Sequence, residues 1–158
     1  LKEDIEISGF LTATIAWGNR KMIINNAKRM MDLMGNSPYD FVLNHKEYHL
    51  DNLEPFVHRT FNGNDFKTFI IALQNLYQNH GGLETFFTNN QQELSLQPAI
   101  SAFKKHFFEV AHLPRTTKHI SDPMQGSAAK RINMYLRWMC RQDNKGVDFG
   151  IWKSILPS

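Results

Sequence analysis

The residues best placed to do chemistry lie late in the chain, in the run "DPMQGSAAKRINMYLRWMCR", Asp122 to Arg141. Lys130, Arg131, Arg137 and Arg141 fall within one expected helix, with no acid between Lys130 and Arg141. On a helical wheel Arg137 and Arg141 each fall about 20° from Lys130, so the three form a stripe. Arg131 and Trp138 flank that stripe. Ala128, Ile132, Tyr135, Leu136 and Met139 gather on the opposite face. Without acids at i+4, pairing along the helix does not explain the charges. Just before the helix, Gly126 permits a tight turn, and beside it Ser127 leads into first-turn amides that can bind phosphate. The chemistry this predicts is contact with an anion, nucleic acid first, with strength that falls as salt rises. A plain solvated basic face is the alternative reading.

Other reactive side chains are less organised. His45 and His49 stand four apart, a spacing that lets two histidines share a helix face and a zinc ion. No Glu-containing metalloprotease pattern or Cys cluster accompanies them, so no metal site is expected. His58, His80, His106, His112 and His119 read as scattered. Cys140 has no His partner in sight and reads as a small packed hydrophobe. Met30, Met31 and Met34 read as core filling. The chain has no Gly-rich phosphate loop and no Gly-x-Ser-x-Gly elbow, and no cofactor is expected.

The charge balance points the same way. Net charge is +3, yet residues 1–99 hold 8 Lys+Arg against 11 Asp+Glu, and residues 100–158 hold 10 against 4. A basic third suggests an anionic partner such as DNA, or pairing with the acidic remainder. The 158 residues suit one domain with a single core. No apolar run nears the ~20 residues that span a bilayer, so no membrane partner is expected. A single cysteine leans towards a reducing, cytoplasmic setting. A start at Leu1 rather than Met suggests a fragment.

The elements that must position the basic stripe are helices throughout. The spacing predicts helices over Lys2–Trp17, from an Asn19 cap to Met34, and from Ser37–Pro38 onward. A short helix is expected around Leu53–Phe61, then a strong one capped by Asn64 and ended by Gly81–Gly82. "GLETFF" and "QPAISAFKKHFFEVAHL" read as two more, "PRTTKHISDP" as a loop, and "DFGIWKSI" as a closing turn. The expected fold is all-α over residues 1–158, a compact bundle of seven to nine helices with no convincing strand.

"GSAAKRINMYLRWMCRQDNKGVDFGIW", with "LTATIAWGNRKMIINNAKRMMDLMG" and "FVHRTF", resembles an uncharacterised bacterial domain-of-unknown-function family. That family looks similar to the helix-hairpin-helix DNA glycosylases, all-α enzymes that excise damaged bases. Their hairpin reads Leu-Pro-Gly-x-Gly-x-Lys, and "MQGSAAK" has the same spacing. The resemblance implies DNA binding at Gly126 and the hairpin amides, with Lys130 as nucleophile of a glycosylase/AP lyase. Gln125 stands for the Pro and Ala128 for the second Gly, which crowds the phosphate approach. It also implies that Arg20 lies where such enzymes fill the gap left by a flipped base. Trp17 or Trp138 would line the base pocket, since stacking offsets the cost of flipping. Such a lysine needs burial or neighbouring cations, Arg131 or Arg137 here, to lose its proton. The family's catalytic Asp is expected in a Pro-x-Asp-Val-His stretch beyond Ser158. Asp143 and Asp148 precede that place. The alternatives are a non-catalytic nucleic-acid-binding module and a helical protein-interaction module.

Overall fold

A computed structural model describes residues 1–90, 95–126, 129–140 and 151–152. Among these the architecture is mostly helical. The helices are α1 (Lys2–Thr14), α2 (Arg20–Leu33), α3 (Pro38–Asn44), α4 (Glu47–Asp51), α5 (Gly63–Asn79), α6 (Leu83–Asn90), α7 (Gln97–Phe107) and α8 (Lys130–Cys140). Two short strands, β1 (Val57–His58) and β2 (Phe61–Asn62), pair antiparallel between α4 and α5. Two 3-10 turns, Pro114–His119 and Pro123–Gln125, separate α7 from α8. No helix among the described residues is long and apolar enough to cross a membrane.

α1 is the central helix. Its residues Glu6, Ile7, Gly9, Phe10, Leu11, Ala13 and Thr14 are all buried, so it lacks a polar face of the usual width. Phe10 meets Phe69 of α5, Phe103 and Phe107 of α7, and Tyr135 of α8, with ring centroids 5.5–5.9 Å apart. Offset and edge-on aromatic contacts of this kind add specificity to area burial. α8 lies across α1 with Ile132, Tyr135, Leu136 and Met139 buried. Gly9 lets it come close: a Cβ there would stand 3.1 Å from Met139 Cε and 3.3 Å from Tyr135 Cε1.

A second fixture is polar and buried. Glu6 accepts hydrogen bonds from Tyr77 Oη at 2.8 Å and Trp152 Nε1 at 2.6 Å, while the Tyr135 hydroxyl donates to its backbone carbonyl. Burial raises the Glu6 carboxyl above its ordinary pKa, and the Tyr77 and Trp152 bonds oppose that rise. The group ties α1 to α5, α8 and Trp152 and is buried, 2 % exposed.

Three expectations are corrected. α1 ends at Thr14, not Trp17, because the chain turns through Ile15–Asn19 with Gly18 at φ 95°. The segment around Leu53–Phe61 is not a helix but leads into the hairpin, which reverses at Arg59, φ 54°. Asn62 rather than Asn64 caps α5: its Oδ1 accepts from Asp65 N, and Asp65 Oδ2 accepts from Asn62 N, a reciprocal capping box. Elsewhere Asn19 caps α2 by accepting from Met22 N, and Pro38 opens α3. "PRTTKHISDP" is partly ordered as the first 3-10 turn. Most of "DFGIWKSI" lies outside the described residues, as do Ser127, Ala128, Arg141, Asp143 and Asp148.

Candidate nucleic-acid interface

The turn into α8 is built in short steps. Asp122 accepts a hydrogen bond from Met124 N at 2.9 Å, which starts the 3-10 turn Pro123–Gln125. Gly126 closes it in the left-handed region, φ 89°, a conformation glycine adopts without steric cost. Ala129 is buried and also left-handed, φ 49°. α8 therefore begins at Lys130. The expected tight turn at Gly126 is present, and a second reversal at Ala129 intervenes before the helix.

Lys130 and Arg137 are exposed, two turns apart on one edge of α8. Arg131 is turned inward instead. Its Nη1 donates to Thr14 O at 2.6 Å, and its guanidinium lies 4.7 Å from the Trp17 ring centroid. Thr14 ends α1, where backbone carbonyls lack intrahelical donors and the helix dipole is negative. A cation fits there, and the indole face adds its own attraction. Burial lowers the Arg131 pKa from its ordinary value, so the guanidinium is partly desolvated.

Trp17 gathers further groups that the sequence did not single out. His58 sits edge-on to it, with ring centroids 5.0 Å apart. Asn26 Nδ2 lies 2.8 Å from His58 Nδ1, and His58 Nε2 lies 3.2 Å from Trp17 O. The amide donates to Nδ1, so Nε2 carries the proton that reaches the Trp17 carbonyl. Arg59 lies across Gly18: a Cβ on Gly18 would fall 2.9 Å from Arg59 Nη1. Arg20, exposed, opens α2 two residues later. The end of α1, the start of α2, the β1–β2 turn and the start of α8 thus converge on Trp17. The only local signal for the hairpin's part was "FVHRTF", whose His58 and Arg59 find partners far away in sequence.

None of Arg20, Arg59, Lys130, Arg131 and Arg137 forms an ion pair among the described residues. Several carboxylates of the N-terminal half are engaged elsewhere. Glu6 is in the core; Asp65 is buried against Arg115, Thr116 and His119; Lys67 pairs with Asp51 and Glu54. Trp138 is half-buried at the rim of a 460 Å³ depression whose walls include Ile5, Gly9, Met31 and Pro38. It lies on the same side of α8 as Arg131, about two turns further along the helix.

The inward turn of Arg131 makes a testable contrast. Arg131→Met removes a charge-assisted hydrogen bond and a cation–π contact, and should destabilise the fold by about 2 kcal/mol. Arg137→Met, at the exposed edge, should stay within about 0.5 kcal/mol of the parent. Urea unfolding followed by circular dichroism measures both, and equal effects would refute the assignment.

The remaining candidates sort clearly. Met30 and Met34 are buried in the core and Met31 packs beside them. Cys140 is half-buried, and burial pushes its thiol up to about 11, which keeps it protonated at neutral pH. His45 and His49 do not share a helix face: His45 ends α3, and His49 lies in α4 with Nδ1 accepting from Lys46 N. The scattered reading of the histidines is corrected for one pair, since His80 and His106 meet, with rings 5.3 Å apart.

Comparison with known proteins finds no matching curated protein and no matching solved structure. A family model does match, over residues 1–158, and the chain belongs to that family, described as a protein of unknown function (DUF2400).

Proposed function

We propose that this DUF2400 chain is a DNA-binding protein of base-excision type, formed as one all-α domain that resembles the helix-hairpin-helix glycosylases. DNA lies along the edge where α2, the β1–β2 turn and α8 begin. The observation that carries the reading is the set of exposed cations, Arg20, Arg59, Lys130 and Arg137, that find no carboxylate among the described residues. Lys130 and Arg137, on one edge of α8, repel each other, and a phosphate backbone relieves that repulsion. Gly126 supplies the turn before the helix; Ser127 and Arg141, outside the described residues, are proposed to add to the same contact. Arg131 acts differently from the others. It holds Trp17 against the end of α1 and so sets the platform beside which DNA lies.

Lys130 is the proposed nucleophile. On abasic-site DNA its Nζ adds to the sugar C1′ aldehyde and water leaves, giving an iminium. Borohydride then delivers hydride to C1′ and fixes the link as a secondary amine. A non-catalytic nucleic-acid module is the second reading. It is favoured by one observation: the buried carboxylates Glu6 and Asp65 are each held by internal partners, leaving none of them to assist Lys130.

Incubation with abasic-site duplex and borohydride should trap a covalent adduct with the parent and none with Lys130→Ala. Binding of the same duplex by Lys130→Ala should weaken only a few-fold, since one of four phosphate contacts is lost. With four contacts the log–log salt slope should be about −3 to −4. Salt-dependent binding without trapping would select the non-catalytic reading. No measurable binding at low salt would remove both.

A further inference from the structure

We infer that His80, His106 and Glu109 form a binding site for a divalent transition cation, Zn2+ in particular, at the junction of α5 and α7. One ligand atom from each lies within 4.8 Å of the others. His106 Nδ1 stands 2.5 Å from Glu109 Oε1, and His80 Nε2 stands 3.4 Å from Glu109 Oε2. Zinc bonds of about 2.0–2.2 Å put tetrahedral ligand atoms roughly 3.3–3.6 Å apart. Small side-chain rotations therefore suffice to close the set around an ion.

The three groups are held by rigid elements rather than by a loose surface. His80 caps α5, its N–H donating to Leu76 O, so its backbone is fixed by the end of a 17-residue helix. His106 lies in the last turn of α7, and Glu109 N donates to His106 O just beyond it. Asn75 Nδ2 donates to Glu109 Oε2 at 3.2 Å, and Asn79 Nδ2 donates to Asn75 Oδ1 at 2.7 Å. That relay orients the carboxylate, as the outer hydrogen bonds of metal sites do. Phe86 forms an apolar floor, edge-on to both imidazoles with centroids 5.9 and 5.7 Å away.

Two imidazoles and one carboxylate are the donor set that suits Zn2+, which is less well served by all-oxygen sites. Beside the pair of histidines lies an open depression of about 500 Å³, bordered by Asn79, Asn89 and Asn90. A water completes the fourth position from that side. Coordination would also tie the C-terminal end of α5 to α7, two helices that share the Phe69–Phe107 contact in the core. Ion binding should thus stabilise the folded state by mass action.

Calorimetric titration of the chelator-stripped full chain with Zn2+ should show one equivalent bound, with the melting temperature rising as Zn2+ increases. His80→Ala and His106→Ala should each weaken binding by at least about tenfold and abolish most of the thermal shift. Glu109→Gln keeps the side chain's shape and carries the same expectation. His49→Ala should change nothing. Each variant is checked for the parent's helical circular dichroism without metal. Absence of saturable binding by the parent would overturn the site, as would binding undiminished in His80→Ala and His106→Ala. DNA affinity of these variants should equal the parent's, because the site and the cationic edge share no residue.

Discussion

Asp65→Ala should destabilise the protein by about 3–5 kcal/mol, the cost expected when one partner of a buried charged network is removed. Asp65 is fully buried in the first turn of α5. It accepts from Arg115 Nη1 at 2.9 Å on both oxygens, from Thr116 Oγ1 at 2.8 Å, from His119 Nε2 at 3.1 Å and from Asn62 N at 3.0 Å. Truncation leaves the Thr116 hydroxyl and His119 ring without an acceptor in a dry setting. Both are buried, whereas Arg115 is 38 % exposed and can turn to water. Most of the loss should therefore come from Thr116, His119 and the capping box, not from the Arg115 charge. Arg115→Ala should accordingly cost far less than Asp65→Ala in urea unfolding at pH 7. Equal costs would mean that the ion pair, and not the buried hydrogen bonds, holds the first 3-10 turn to α5.

The same carboxyl sets a pH dependence with a definite sign. Burial alone would raise its pKa; the hydrogen bonds from His119, Asn62 N–H, Thr116 and Arg115 outweigh burial and hold it well below the usual carboxylate range. A depressed folded-state pKa means that the unfolded chain takes up the proton first. The stabilisation is complete above the unfolded value, about 3.9, and drains away as pH falls from there towards the folded value. The parent's stability should therefore fall steeply below about pH 4, and Asp65→Asn should flatten that slope while lowering stability at neutral pH. An unchanged slope would place the proton uptake on another group.

What could be read in the chain and what could not divides along contact range. Asn19 before α2, Ser37–Pro38 before α3 and Gly81–Gly82 after α5 act within a few residues, so local chemistry identifies them. The Phe66–Tyr77 periodicity likewise marks α5 without help from elsewhere. The hairpin was hidden because β1 and β2 have two residues each, too few for alternation to show. Its apolar Phe56 and Phe61 look helical only until Arg59 reverses the chain. Arg131 reads as a flank of the basic stripe on any wheel. Its inward turn depends on Trp17 and Thr14, more than a hundred residues away. His106 and Glu109 stand three apart, a helical spacing, but His80 joins them only through the packing of α5 on α7. The edge shared by Lys130 and Arg137, by contrast, needed only helical geometry, and both side chains are exposed.

Gly63→Ala should cost about 3 kcal/mol or more, beyond the usual range for adding one methyl to a packed site. Gly63 opens α5 with an ordinary φ, so backbone strain is not the reason. The reason is backbone proximity: a Cβ there would stand 2.1 Å from Glu54 O, 2.5 Å from Glu54 C and 2.6 Å from Leu53 O. Flexible side chains could yield, but carbonyls of the segment leading into the hairpin cannot without moving it. Gly126→Ala makes the opposite case. No atom lies within 4 Å of its Cβ position, and only the left-handed φ of 89° opposes the change, about 1–2 kcal/mol. Under the proposed function, Gly63→Ala should also act on binding. Moving the Leu53–Glu54 segment displaces the hairpin that carries His58 and Arg59, and with it the edge around Trp17. Gly63→Ala should lose DNA affinity several-fold even under conditions where it remains folded. A Gly63→Ala protein as stable as Gly126→Ala would show that the hairpin can retreat from α5 at little cost, and Arg59 would then not be fixed beside Gly18.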